Sequence, residues 1–176
     1  MENKKYDGLI AIDPSIRAAG IAIFDRQKLI YTNVLRPSAV VKTMEGISDV
    51  LDLAQEAWEK TMGVSFSPAT LVVELPQVYQ QAQLKGDPND LIPLAIMAGR
   101  LWERFKPKNM MLPLPKEWKG NRPKDVVTAS TMSKLSKREL EVFGDDLIRV
   151  PNGLRHNAMD AIGIGLWAMK RLGERE

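Results

Sequence analysis

Apolar positions along this chain change their spacing several times, and each spacing predicts a different element. "LIAID" at Leu9–Asp13 and "GIAIF" at Gly20–Phe24 are short apolar runs around a turn containing Pro14 and Ser15, and they read as adjacent strands. "KLIYTNVL" alternates and supplies a third strand, so three strands in succession predict an antiparallel meander. Met44, Ile47, Leu51, Ala54 and Trp58 then recur at helical steps. "ATLVVE" is continuously apolar up to Glu74, the pattern of a central strand covered on both faces.

Beyond it, Asp90 is placed to cap a helix that tolerates Pro93 in its first turn, with Leu91, Leu94, Ala98, Leu101 and Phe105 as its apolar stripe. Ile92 and Ile96 widen that stripe beyond what one packing surface needs, which calls for a second burial partner such as another subunit. "MMLPLP" predicts a further strand ending near Pro113, followed by the polar loop "KEWKGNRPKD" with its isolated Trp118. Helical segments follow, the second with a capping box at Ser136 and Glu139 and a stop at Gly144. A last helix over Arg155–Arg171 is apolar nearly all round and is therefore expected to be buried. Strands and helices in this order predict a mixed α/β layer arrangement.

Composition narrows the chemistry. A chain of 176 residues with 44% hydrophobic content suits one compact domain. No apolar run approaches the roughly 20 residues of a bilayer span, and "MENKKYDG" lacks the apolar core of a secretion signal, so a cytoplasmic protein without membrane association is expected. The absence of Cys excludes disulfides and thiolate chemistry, and the single His156 excludes a multi-histidine metal site. Charge adds polarity: Arg104–Arg138 holds ten basic residues against Glu117 and Asp125, a local charge of +8 in a chain of +3. That segment reads as a phosphate-facing side, or else as solvated basic helices.

Carboxylates carry the sharpest signal. Asp13 ends the first strand, Glu74 ends the fourth, and Asp160 lies in the first turns of the last helix. If the first and fourth strands are neighbours, both acids emerge at one sheet edge, where the last helix can add Asp160. Three crowded acids repel unless a counter-charge relieves them, and hard oxygen ligands favour Mg²⁺ or Mn²⁺. The separate readings are a turn-forming Asp13 ahead of Ser15, and a Glu74 paired with a buried arginine such as Arg17.

"AIDPSIRAAGIAIFD", "LVVELPQVY" and "RHNAMDAIGIGLW", in this order and with "EWKGNRPK" between the last two, resemble the RuvC family of Holliday-junction resolvases within the ribonuclease H-like nucleases. The resemblance covers nearly the whole chain. It implies a single nuclease domain built on a five-stranded mixed sheet, three antiparallel strands then parallel ones, with helices on both faces. It further implies a homodimer that nicks opposed strands of a four-way DNA junction with two Mg²⁺ or Mn²⁺ ions per active site, leaving 5′-phosphate and 3′-hydroxyl ends.

Residue by residue, it implies Asp13, Glu74 and Asp160 as catalytic metal ligands. The family's fourth ligand, an Asp or His three residues before the final Asp, falls on Asn157 here, with His156 one position earlier. His156 is the first choice, as ligand or as proton carrier, because an amide is a poorer ligand and no base; Asn157 is the second. The family's basic grip on DNA maps to Lys116, Lys119, Arg122 and Lys124, with Trp118 packing beneath nucleic acid or stacking on it. Pairing of subunits maps to Leu91, Ile92, Ala95, Ile96 and Gly99. Two other readings are a junction-binding dimer without chemistry and an actin-like ATPase or phosphotransferase, which normally needs a second half and a longer chain.

Overall fold

In a computed structural model of the protein, residues 8–38, 43–63, 67–77 and 88–172 are described. Five strands form one sheet: β1 (Leu9–Asp13), β2 (Ala19–Asp25), β3 (Lys28–Leu35), β4 (Thr70–Val73) and β5 (Asn109–Met111), in the spatial order β3-β2-β1-β4-β5. The first three run antiparallel, whereas β4 lies parallel to β1 and β5 parallel to β4. The expected neighbourhood of the first and fourth strands is therefore present. Helix α1 (Thr43–Met62) makes the crossover between β3 and β4, and α2 (Ile92–Phe105) the one between β4 and β5.

Strand alternation sorts the core into two layers. Ile10, Ile12, Ile21, Ile23, Leu71 and Val73 face α1 and α2, where Ile47, Leu51, Trp58, Met97 and Leu101 meet them. Leu9, Ala11, Ala22, Phe24 and Val72 face the other way, onto α6 (Arg155–Ala168). Parity carries Asp13 and Glu74 to that second face, since each follows an α6-facing residue by two positions. The outer side of α6 is covered by α3 (Pro115–Trp118) and α4 (Lys124–Ser133), which explains why its apolar residues run all the way round. Ala161, Ile162, Ile164 and Leu166 are inaccessible to solvent. Each such Ile or Leu contributes about 1.5–3 kcal/mol on burial.

Helix α5 (Lys137–Asp146) lies along the outer strand β3 and solves its edge problem. Two of its carboxylates accept main-chain N–H groups of β3: Glu139 from Leu29 and Asp146 from Thr32, both at 2.9 Å. Glu139 also closes the capping box with Ser136 and takes a two-pronged bond from Arg171 at 2.7 and 3.0 Å. Burial pulls its pKa upward, but Arg171 and the N–H groups of Leu29 and Ser136 outweigh that and hold the carboxyl at about 2.

Several expected boundaries shift. Leu91, rather than Asp90, occupies the N-cap position of α2, because a short 3-10 turn (Pro88–Leu91) leads into the helix. Helix α5 continues past Gly144 to Asp146, and α6 stops at Ala168. The β5 strand ends at Met111, two residues before Pro113. The end of "LVVELPQVY", Val78 and Tyr79, lies outside the described residues. Among those described, no helix is long and apolar enough to cross a membrane.

Glu139 is nearly inaccessible and its pKa is depressed, so its contribution is present above the unfolded carboxyl value near 4.5 and disappears as pH falls toward about 2. Glu139→Gln is expected to cost about 3–5 kcal/mol at neutral pH, because it leaves the Arg171 charge uncompensated. In urea unfolding, the gap between variant and native chain should narrow across that acid range.

Candidate active site

The C-terminal ends of β1 and β4 open on the same sheet edge. Asp13 closes β1 opposite Gly20, and the main-chain N–H of Glu74 continues the parallel ladder by donating to the carbonyl of Ile12 at 3.2 Å. Beyond Asp13 the chain turns sharply, with Ser15 Oγ accepting the N–H groups of Arg17 and Ala18 at 3.2 Å each. That turn brings β2 back directly beside Asp13.

Helix α6 supplies the third acid because its first turns press against this turn. Asn157 Nδ2 donates to the Ala18 carbonyl at 2.5 Å. Gly20 admits the helix: a Cβ there would overlap the main-chain carbonyl of Asn157. Asp160 follows one turn further along, on the side of α6 that faces Asp13 and Glu74. The three carboxylates sense one another. Burial raises the Asp13 pKa well above the usual carboxylate range, and repulsion from Glu74 and Asp160 raises it further, against the opposing charges of Lys119 and Lys124. Glu74 is raised by burial and by Asp160, against Lys119 and a hydrogen bond from Trp118. Asp160 is raised by burial, against Lys119, Lys124 and His156.

Trp118, expected to pack beneath nucleic acid or to stack on it, is buried inside the protein. The ring is 2% exposed, beneath the basic loop, so it offers no face to a base. Its indole N–H donates to Glu74 Oε2. Lys119 also turns inward, with Nζ 3.4 Å from the same oxygen. The pairing of Glu74 with Arg17 does not occur: Arg17 is exposed, and Lys119 provides the counter-charge. His156 stands half-buried one turn before Asp160, close enough for its charge to favour the Asp160 anion. Asn157 uses its amide N–H on the Ala18 carbonyl and so ties down this end of the helix.

The basic segment does not form one phosphate-facing side. Strand β5 divides it: Lys106 and Lys108 precede β5 at the far sheet edge, and Arg104 is bound to Asp52 on α1 at 2.8 Å. Lys134, Lys137 and Arg138 stand near the far edge as well, where Arg171 joins the Lys134 and Gln27 carbonyls. Lys116, Lys119, Arg122 and Lys124 follow β5 and stay on the carboxylate side. Arg122 braces their loop through the carbonyls of Lys119 and Trp118 at 3.0 and 3.4 Å.

Among the described residues, no three Asp, Glu or His side chains are closed up as ligands of a single ion. The donor chemistry still suits a hard divalent cation: oxygen ligands only, desolvated, and with their negative charges in mutual repulsion.

On the opposite sheet face, α2 buries Met97, Ala98, Leu101 and Phe105. Its outer side shows Ile92 (56% exposed), Ile96 (40%) and Trp102 (58%) around the exposed Ala95 and Gly99, with Leu91 half-buried at the margin. Trp102 was not among the interface residues expected from the sequence. Its signal was present, since it lies seven positions after Ala95 and three after Gly99 and so on their side of the helix.

No protein-family model and no curated protein matches the chain. Solved structures do. RuvC of T. thermophilus, in a complex with a Holliday junction substrate, is 17% identical with a TM-score of 0.55, over 94% of this chain and 96% of that one. A further Thermus thermophilus RuvC structure is 13% identical with a TM-score of 0.56, over 93% and 97% of the two chains. The yeast mitochondrial Holliday junction resolvase Ydc2 is 16% identical with a TM-score of 0.52, over 93% and 78%. The fold is thus the RuvC-like, ribonuclease H-like α/β fold.

The seat of α6 gives a prediction with a built-in control. Gly20→Ala forces Cβ into the Asn157 carbonyl and should cost at least about 1–3 kcal/mol in urea unfolding. Gly144→Ala, inside α5 with open space around it, should instead stabilise by roughly 0.5–1 kcal/mol.

Proposed function

We propose that this protein is a metal-dependent, structure-selective endodeoxyribonuclease that resolves four-way DNA junctions by paired, symmetric nicks. The observation that carries the reading is the convergence of Asp13, Glu74 and Asp160 at one desolvated sheet edge, with each carboxyl raised above its ordinary range. Likeness in fold to RuvC and to a mitochondrial junction resolvase supports it.

Asp13, Glu74 and Asp160 would hold Mg²⁺ or Mn²⁺, two ions per site, with Asp13 central because it is influenced by both other acids. Bound divalent ions supply an activated water and charge stabilisation at the departing 3′ oxygen. The chain's own groups do the rest. His156 carries the proton of the attacking water. Lys119 and Lys124, whose charges already reach the carboxylates, meet the scissile phosphate and its leaving group. Lys116 and Arg122 hold the flanking backbone without reading bases, so selectivity rests on the shape of the branch.

Two opposed nicks require two sites related by symmetry. The outer side of α2 suits self-pairing: Ile92, Ile96 and Trp102 present apolar surface, and Ala95 and Gly99 let two backbones approach. Because α2 covers the sheet face opposite α6, pairing there leaves both carboxylate edges open to DNA.

Incubation with a synthetic mobile four-way junction and Mg²⁺ or Mn²⁺ should give paired nicks at symmetric positions with ligatable ends. Asp13→Asn should bind the junction and fail to nick it. The same variant should melt higher than the native chain in chelator, since it removes a carboxylate whose raised pKa makes its ionised form costly at neutral pH. Each kcal/mol of relief would appear as about 2–4 °C. A native chain that never nicks branched DNA with either ion would refute the enzyme.

Ile96→Glu places a charge in the pairing surface. It is expected to give a monomer by light scattering and to uncouple the two nicks. A dimer that persists would remove α2 as the interface.

A further inference from the structure

The indole of Trp118 is a buried polar group to which the proposed chemistry gives no role. Its ring is packed against α6 where Gly163 leaves room: a Cβ there would lie 2.6 Å from the ring and 3.2 Å from Thr131 Oγ1. Gly163 follows Asp160 by three residues, so the ring rests on the side of α6 that carries Asp160. From this seat the indole N–H donates to Glu74 Oε2, while Lys119 Nζ lies 4.9 Å above the ring and 3.4 Å from that oxygen. A ring needed for packing alone requires no N–H aimed at a carboxylate. An indole donates and does not accept, so the bond favours the Glu74 anion and restrains its rotation.

We infer that Trp118 is a positioning residue for the cation site: its indole N–H holds the Glu74 carboxylate in the orientation from which, with Asp13 and Asp160, it would bind a divalent ion. The inference rests on the nuclease reading and extends it to a residue outside the ligand set. Trp118 ends α3 and directly precedes Lys119, so the indole also ties the seating of the basic loop to the orientation of a metal ligand. The loop that meets DNA and the carboxylate that meets the ion thereby move as one unit.

The test is Mn²⁺ titration calorimetry on the whole chain without DNA, comparing the native protein with Trp118→Phe and with Trp118 replaced by 3-benzothienylalanine. The latter keeps the shape of the ring and lacks only the N–H. Both replacements should weaken Mn²⁺ binding by about tenfold or more, the range seen when a partner that orients a metal ligand is lost. A benzothienyl protein that binds Mn²⁺ as tightly as the native chain overturns the inference, even if Trp118→Phe binds weakly, because packing alone would then explain the loss. A native chain that binds no Mn²⁺ overturns the nuclease reading and this inference together. Native binding with no effect of the isostere overturns this inference alone.

Discussion

Crowding of like charge at a desolvated sheet edge is the constraint on which the proposed site depends. Parallel pairing of β1 with β4 sets Asp13 and Glu74 side by side, and the pleat turns both toward α6. Burial raises both, and each raises or is raised by its neighbours. Such an arrangement is unfavourable as a structural feature, and it persists because the surrounding core holds it.

The rest of the molecule can be read as the means of holding it. Clusters on both sheet faces hold the strands in place, and α6 is pressed so closely on the start of β2 that only glycine fits at Gly20. Asn157 anchors that helix end to Ala18. Trp118 and Lys119 reach Glu74 from a loop that follows β5, so positive charge and a neutral donor meet the carboxylates from outside the sheet. Farther away, Glu139 and Asp146 secure the outer strand, which lets the sheet end in β3 without offering its free N–H groups to another chain.

Charge placement follows from strand direction. The basic segment is continuous in sequence, yet the fold spreads it over both edges, and only Lys116, Lys119, Arg122 and Lys124, directly after β5, stand with the carboxylates. A positive loop beside a negative cluster fits the proposed substrate, whose phosphate backbone would meet the lysines while divalent ions held by the acids would offset their repulsion.

Much of the fold was legible in local pattern. Alternation and unbroken apolar runs located the five strands, and the all-round apolar helix was correctly expected to be buried, because burial on one or two sides leaves a direct periodic record. Capping at Ser136 was legible for the same reason: it is a local hydrogen bond between residues three apart. The three acids were visible as carboxylates at element ends, but their meeting depended on the order of strands in the sheet. Contacts distant in sequence left no local trace. Trp118 bonds Glu74 from 44 residues away, Leu29 reaches Glu139 across 110, and Asn157 reaches Ala18 across 139. The amino-acid order thus determined which residues would be buried and which acids would end strands. Tertiary structure alone decided what stands beside each acid, since a buried polar group takes the partner that packing delivers and sequence distance places no limit on which one that is.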